Sequence, residues 1–168
     1  MREFARRTRG RGAVFFTGGS TALLLDIREQ TVDIDIKIDP EPAGTFEAIA
    51  AIKRDLDLNI ELASPDDFIP APPEWRAFAV PIETVGEVSF FHYDFVMQAL
   101  AKLERGYSQD LSDVASLVKG GHITLQQLRE RFLQIEGLLI RYPAIDTQEF
   151  RAKVRAFLAT LPGGENAL

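Results

Sequence analysis

Thr31-Val32-Asp33-Ile34-Asp35-Ile36-Lys37-Ile38-Asp39 alternates polar and apolar side chains without a break and runs into Pro40 and Pro42. A period of two is the pattern of a strand with one buried face. Proline cannot donate to the next rung of a ladder, so the strand ends there. Residues two apart leave the same face, which puts Asp33 and Asp35 side by side, roughly 6–7 Å apart. Two carboxylates so placed repel unless something positive lies between them. A divalent cation answers that need, because it accepts carboxylate oxygens and binds phosphates as well.

Upstream, Ala13 to Thr17 is a short apolar run halted by Gly18-Gly19. It reads as a buried strand delivering a tight turn. Ser20 to Ile27 then reads as a helix, with Ser20 as its N-cap. Glycines at a helix N-terminus let a phosphate approach the backbone N–H groups. The turn lacks the GxGxxG spacing of a dinucleotide site and the Gly-Lys-Ser/Thr of a Walker loop. Downstream, Thr45 to Asp57 has apolar residues at Phe46, Ile49, Ala50 and Ile52, fitting an amphipathic helix. Leu58 to Leu62 alternates again, with Asn59 and Glu61 on its polar face. Ser64 to Glu74 is a proline-rich loop, and 76–82 with 87–91 form a hairpin across Gly86. Strands 13–17, 31–38 and 58–62 are expected in one sheet. Helices 21–27 and 45–57 are expected on the face opposite the two aspartates.

After Tyr93 the period becomes helical. Asp94–Glu104 and Asp110–Val118 are two helices, Thr124-Leu125-Gln126-Gln127 is a capping box opening a third, and Asp146-Thr147-Gln148-Glu149 resembles another. The final residues, Gly163 to Leu168, are expected to fray. The fold class is therefore α+β: a mixed sheet flanked by helices over about 1–93, then a helical segment over 94–168.

Composition narrows the chemistry. With no cysteine, disulfides and thiolate chemistry are absent, and two histidines 30 residues apart do not make a histidine metal site. A metal here needs oxygen ligands, which favours Mg²⁺ or Mn²⁺. A net charge of −6 argues against general coating of nucleic acid. Arg2, Arg6, Arg7, Arg9 and Arg11 nevertheless crowd the first eleven residues, as a solvated, frayed helix or as a local phosphate or RNA contact. No apolar run approaches the roughly 20 residues of a membrane span, and no secretory signal follows the basic start. A cytoplasmic protein without a membrane partner is expected. Trp75, His92 and His122 read as packing or loop residues.

The stretch Gly18-Gly19-Ser20-Thr21-Ala22-Leu23, then Arg28-Glu29-Gln30-Thr31-Val32-Asp33-Ile34-Asp35, resembles the nucleotidyltransferase superfamily, in particular minimal and AbiEii-type bacterial members. Lys102-Leu103 and Asp110-Leu111-Ser112-Asp113 occupy places that match later family motifs. The resemblance is strong at 14–36 and moderate at 90–118. It implies that Asp33 and Asp35 hold Mg²⁺ against an NTP, that Gly18, Gly19 and Ser20 form the nucleotide-binding turn, and that Arg28 and Thr31 contact phosphate there or else brace the turn. Glu61 is the candidate third carboxylate, or else an exposed strand glutamate. Lys102 is implied to offset triphosphate charge and Asp110 to orient it or the acceptor, or else each makes a surface helix salt bridge. The implied activity is ATP-type nucleotide binding with transfer of a nucleoside monophosphate to a protein or RNA hydroxyl. Such enzymes often belong to toxin–antitoxin modules, so a cognate partner protein is expected. The alternative is a non-catalytic nucleotide- or partner-binding module on the same fold.

Overall fold

The computed structural model describes residues 1–162; the frayed end expected at 163–168 lies outside the described residues. The chain divides into two compact units. One comprises Met1–Ser64 and Arg76–Tyr93, and the other comprises Pro65–Trp75 and the residues from Asp94 onward. The proline-rich segment thus packs with the helical part of the chain, although it lies between two strands in sequence.

The first unit holds α1 (Arg2–Arg7), β1 (Gly12–Phe16), α2 (Gly18–Leu24), β2 (Asp33–Ile38), α3 (Thr45–Leu56), β3 (Asn59–Leu62), β4 (Val80–Val85) and β5 (Val88–His92). The five strands form one mixed sheet in the order β3-β2-β1-β5-β4. β1 runs antiparallel to β2 and parallel to β5, while β3 is parallel to β2 and β4 antiparallel to β5. The three strands expected together are together. The hairpin turns at Gly86, whose φ of +62° suits glycine. Its first strand starts only at Val80, because Trp75–Phe78 forms a 3₁₀ turn instead.

The alternation in β2 sorts its side chains as expected. Ile34 and Ile36 join Val14, Phe90, Ala48, Ile49 and Ile52 in the core between the sheet and α3. Buried side chains of this kind contribute about 1.5–3 kcal/mol each. α3 therefore covers the face opposite Asp33 and Asp35. Its inward residues are Thr45, Ala48, Ile49 and Ile52. Phe46, expected inside, is 59% exposed, because the buried stripe lies one position away from it. Of the N-terminal arginines, Arg2, Arg6 and Arg7 lie on α1, and Arg9 and Arg11 follow it. Phe4 pins α1 into the core with its ring edge-on to Phe90, and Arg7 pairs with both Glu3 and Asp55 of α3.

The second unit is helical: α4 (Phe95–Arg105), α5 (Ser108–Lys119), α6 (Leu125–Glu136) and α7 (Thr147–Ala159). α4 is buried along nearly its whole length and packs against α5, α6 and α7. Its end is set by Gly106 at φ +75°, the left-handed C-cap that glycine adopts without strain. Thr124 and Gln127 form the reciprocal capping box of α6. Asp146 caps α7 through the amides of Gln148 and Glu149. Phe132 and Phe150 join α6 to α7 edge to face. Asp94 caps α4 and is ion-paired to Arg131 of α6, both largely out of water. Burial pushes the Asp94 carboxyl above its ordinary value, and the Arg131 guanidinium opposes that rise. Among the described residues no helix is long and apolar enough to cross a membrane.

Candidate functional site

β1 ends where the chain enters the Gly18-Gly19 turn, and β2 lies beside it. Two hydrogen bonds tie them, from the Thr17 amide (3.0 Å) and the Ser20 hydroxyl (3.1 Å), both to the backbone carbonyl of Asp35. The helix starts two residues earlier than expected: α2 begins at Gly18, with Thr17 at the N-cap position. Ser20 is therefore not the cap. It sits inside the first turn, 3% exposed, with its hydroxyl donating to the Thr17 carbonyl at 2.6 Å as well. One hydroxyl proton shared between two carbonyls fixes the turn to the sheet. It is not poised to bind phosphate without leaving one of them.

The glycines are required by what surrounds them. Gly18 has φ +55°, and a Cβ placed there would collide with Asp35 Oδ2. At Gly19 a Cβ would collide with Thr31 Oγ1 and meet Arg28 Nη1 at 3.6 Å. Asp35, Thr31 and Arg28 thus gather round the bare backbone of the turn. Thr31 Oγ1 also donates to the Asp33 carbonyl at 3.0 Å, bracing the entry to β2.

The polar face continues onto β3. The parallel register sets Asp33 beside Asn59 and Asp35 beside Glu61. Asn59 Nδ2 bridges the two outer carboxylates, donating to Asp33 Oδ1 at 2.5 Å and Glu61 Oε1 at 3.0 Å. Asp33, Asp35 and Glu61 therefore share one face, with Lys37 further along it. Like charges directly opposite on neighbouring strands disfavour the sheet, so a shared cation would relieve the Asp35–Glu61 pair. All donors are oxygens, which suits Mg²⁺ or Mn²⁺. Among the described residues, however, no three metal-ligating side chains converge on a single point. The face fits an ion held by Asp33 and Asp35, with its remaining oxygens coming from a ligand and water.

Lys102 and Asp110 belong to the helical unit, and the structure brings them together there. Lys102 is 5% exposed and sits 2.5 Å from Asp113 Oδ2 and 3.4 Å from Asp110 Oδ1. The salt bridge expected as the alternative is present, but it is buried and has Asp113 as a second carboxylate. Arg105 reaches the same Asp110 oxygen at 2.7 Å, which leaves Asp110 Oδ2 buried without a partner.

Two contributors carry no assigned role in the sequence reading. Asn59 is expected only as a polar-face strand residue, and its amide knits the acidic face. Asp113 is the nearer partner of Lys102. Its place three residues after Asp110 on one helix face was the available signal. His92, read as structural, is buried with Nδ1 3.3 Å from Thr21 Oγ1. His122 lies edge-on to Phe95.

Fold and site together define an α+β protein with an acidic strand face beside a glycine turn. No protein-family model, curated protein or solved structure matches the chain.

Proposed function

We propose that this chain is a Mg²⁺-dependent nucleotidyltransferase that moves a nucleoside monophosphate from an NTP to a protein or RNA hydroxyl. The observation that carries the reading is the gathering of Arg28, Thr31 and Asp35 around Gly18-Gly19, with Asp33 and Glu61 on the same face as Asp35. The bare turn admits phosphate oxygens to its amides, and the Arg28 guanidinium over Gly19 supplies positive charge at the same point. Asp33 and Asp35 would hold the metal, which when bound neutralises charge on the transferring phosphate and its leaving group. In the reaction the acceptor oxygen bonds to the α-phosphorus, the bond from that phosphorus to the β-phosphate oxygen breaks, and pyrophosphate leaves. The hydroxyl proton passes to a carboxylate of this face, with Glu61 the candidate base. Lys102 contributes little to triphosphate binding, since Asp110 and Asp113 already neutralise it. Asp110 Oδ2 is the atom of that cluster with acceptor capacity to spare. A cognate toxin or antitoxin partner follows from the same resemblance.

Incubation with each of the four α-labelled NTPs, Mg²⁺ and a cell lysate tests the proposal. Label should move to a macromolecule, and Asp35→Asn should stop it. Label transfer that survives Asp35→Asn would place the chemistry elsewhere. A second reading, a nucleotide- or partner-binding module without catalysis, is favoured by Ser20, whose hydroxyl is committed to backbone carbonyls. Saturable NTP binding without transfer to any acceptor would select it.

A further inference from the structure

On the face of the sheet opposite the aspartates lies a cavity of about 310 Å³, within the sheet unit, between the strands and helices α1 and α3. That volume falls at the lower end of small-molecule pockets, which span about 300–1,000 Å³. Phe4, Phe16, Ile34, Ile60 and Phe90 are among its walls, with Leu56 and Leu58 on its exposed side. Most of this lining is apolar, which favours an apolar guest. Two charged side chains, Arg2 and Glu3, also border it. Glu3 is already neutralised by Arg6 at 2.7 Å and Arg7 at 3.1 Å. Arg2 is the one cation of α1 with no carboxylate partner among the described residues. The cavity is thus a hydrocarbon-lined space with one uncompensated guanidinium at its border.

We propose that this cavity binds the hydrocarbon chain of a free linear carboxylate, whose head group Arg2 takes. A guanidinium pairs with a carboxylate through two parallel N–H···O bonds, which a neutral alcohol cannot reproduce. This inference is independent of the nucleotide reading, because the cavity and the acidic face lie on opposite sides of the same strands. The test is titration of the full chain with decanoate below its micelle concentration, followed by isoleucine methyl NMR. Saturable one-to-one binding should shift Ile34, Ile52 and Ile60 and leave Ile123 and Ile135 of the helical unit unmoved. Ile60→Phe, which puts a ring into the space, should weaken binding by at least about tenfold. Arg2→Gln should lower decanoate affinity to that of decanol while leaving decanol binding unchanged. The proposal is overturned by the absence of saturation, by shifts scattered over both units, or by a folded Ile60→Phe protein of unchanged affinity. Unchanged decanoate affinity in Arg2→Gln would overturn the head-group assignment. Binding to anionic phospholipid vesicles without saturation by decanoate would overturn it in favour of a membrane surface. Should Ile60→Phe fail to fold, the methyl shifts of the unaltered protein still decide the matter.

Discussion

The acidic face of the sheet and the charged cluster of the helical unit use the same residue types in opposite ways. On the sheet, Asp33 and Glu61 are joined by a neutral amide, and Glu61 stands exposed to water. In the helical unit, Asp110 and Asp113 are buried and share the ammonium of Lys102, with Arg105 added at the edge. Carboxylates removed from water must be neutralised within the fold, and then they have little charge left to offer a ligand. Carboxylates left at the surface beside one another keep that charge available. The difference separates a region built to meet a cation from one whose cations are already in place.

The largest expected effect tests the buried side of this contrast. Lys102→Met removes the ammonium that Asp110 and Asp113 share and leaves Asp110 with Arg105 alone, at a cost of about 3–5 kcal/mol. Urea unfolding of the variant should show that loss. A midpoint equal to the unaltered protein's would mean that the cluster is solvated and Lys102 is free for other work. Next in size is Gly18→Ala. The alanine must adopt a positive φ, which costs roughly 1–2 kcal/mol, and its Cβ must displace the Asp35 carboxylate. Thermal unfolding should register the first effect, and loss of Mn²⁺–NTP binding in calorimetry the second. Retained binding would show that Asp35 is not needed where it stands.

A smaller effect concerns Asp94, again in the buried class. Its carboxyl is held above its ordinary value, chiefly by burial, so the folded chain keeps this proton to higher pH than the unfolded chain does. The associated stability is full below about pH 4, the unfolded value, and is lost as pH rises through the higher folded value. Asn retains the N-cap hydrogen bond but does not titrate. The stability difference between Asp94→Asn and the unaltered protein should therefore vary with pH across that window and become constant above it. A difference independent of pH throughout would mean that Asp94 titrates alike in both states.

Much of the sheet was legible because period-two alternation is a local signal. The run from Thr31 to Asp39 needs no distant partner to identify its two faces, and Asn59–Leu62 follows the same rule. Helix caps were legible for the same reason at Thr124 and Asp146, where the capping residue and its amides are neighbours. Ser20 shows the limit. Its type suits an N-cap, but Thr17 takes that position and the Ser20 hydroxyl bonds to a carbonyl 15 residues away. Phe46 was placed inside because it is large and apolar, while the stripe that α3 buries is set by where α3 meets the sheet. Lys102 looked like half of a surface salt bridge because nothing local reveals that α4 and α5 bury the cluster, with Asp113 as its nearer partner. The pairing of Asp94 with Arg131, 37 residues apart, had no local signature at all. For the candidate site, the glycine turn and paired aspartates were legible, and the amide bridge of Asn59 needed the β2–β3 register.

The smallest expected effect on stability comes from Asp33→Asn, and it is the one that sharpens the exposed side of the comparison. Asp33 has no cation partner among the described residues; its hydrogen-bond donor is Asn59, at 2.5 Å. Replacing the carboxylate by an amide removes repulsion from Asp35 and Glu61 while keeping a carbonyl to accept from Asn59. Without ligand, the change should stay within about 0.5 kcal/mol, as for surface substitutions generally. With Mn²⁺ and an NTP the two proteins should part. A ligand at 100 times its dissociation constant adds about 2.7 kcal/mol to the folded state, and the variant should gain almost none of it. Differential scanning calorimetry of both proteins, with and without Mn²⁺–NTP, measures the two quantities together. An equal upward shift in both would remove Asp33 from the site. A large loss in the ligand-free variant would instead move Asp33 into the same structural class as Asp110 and Asp113, and the contrast between the two regions would fail at that residue.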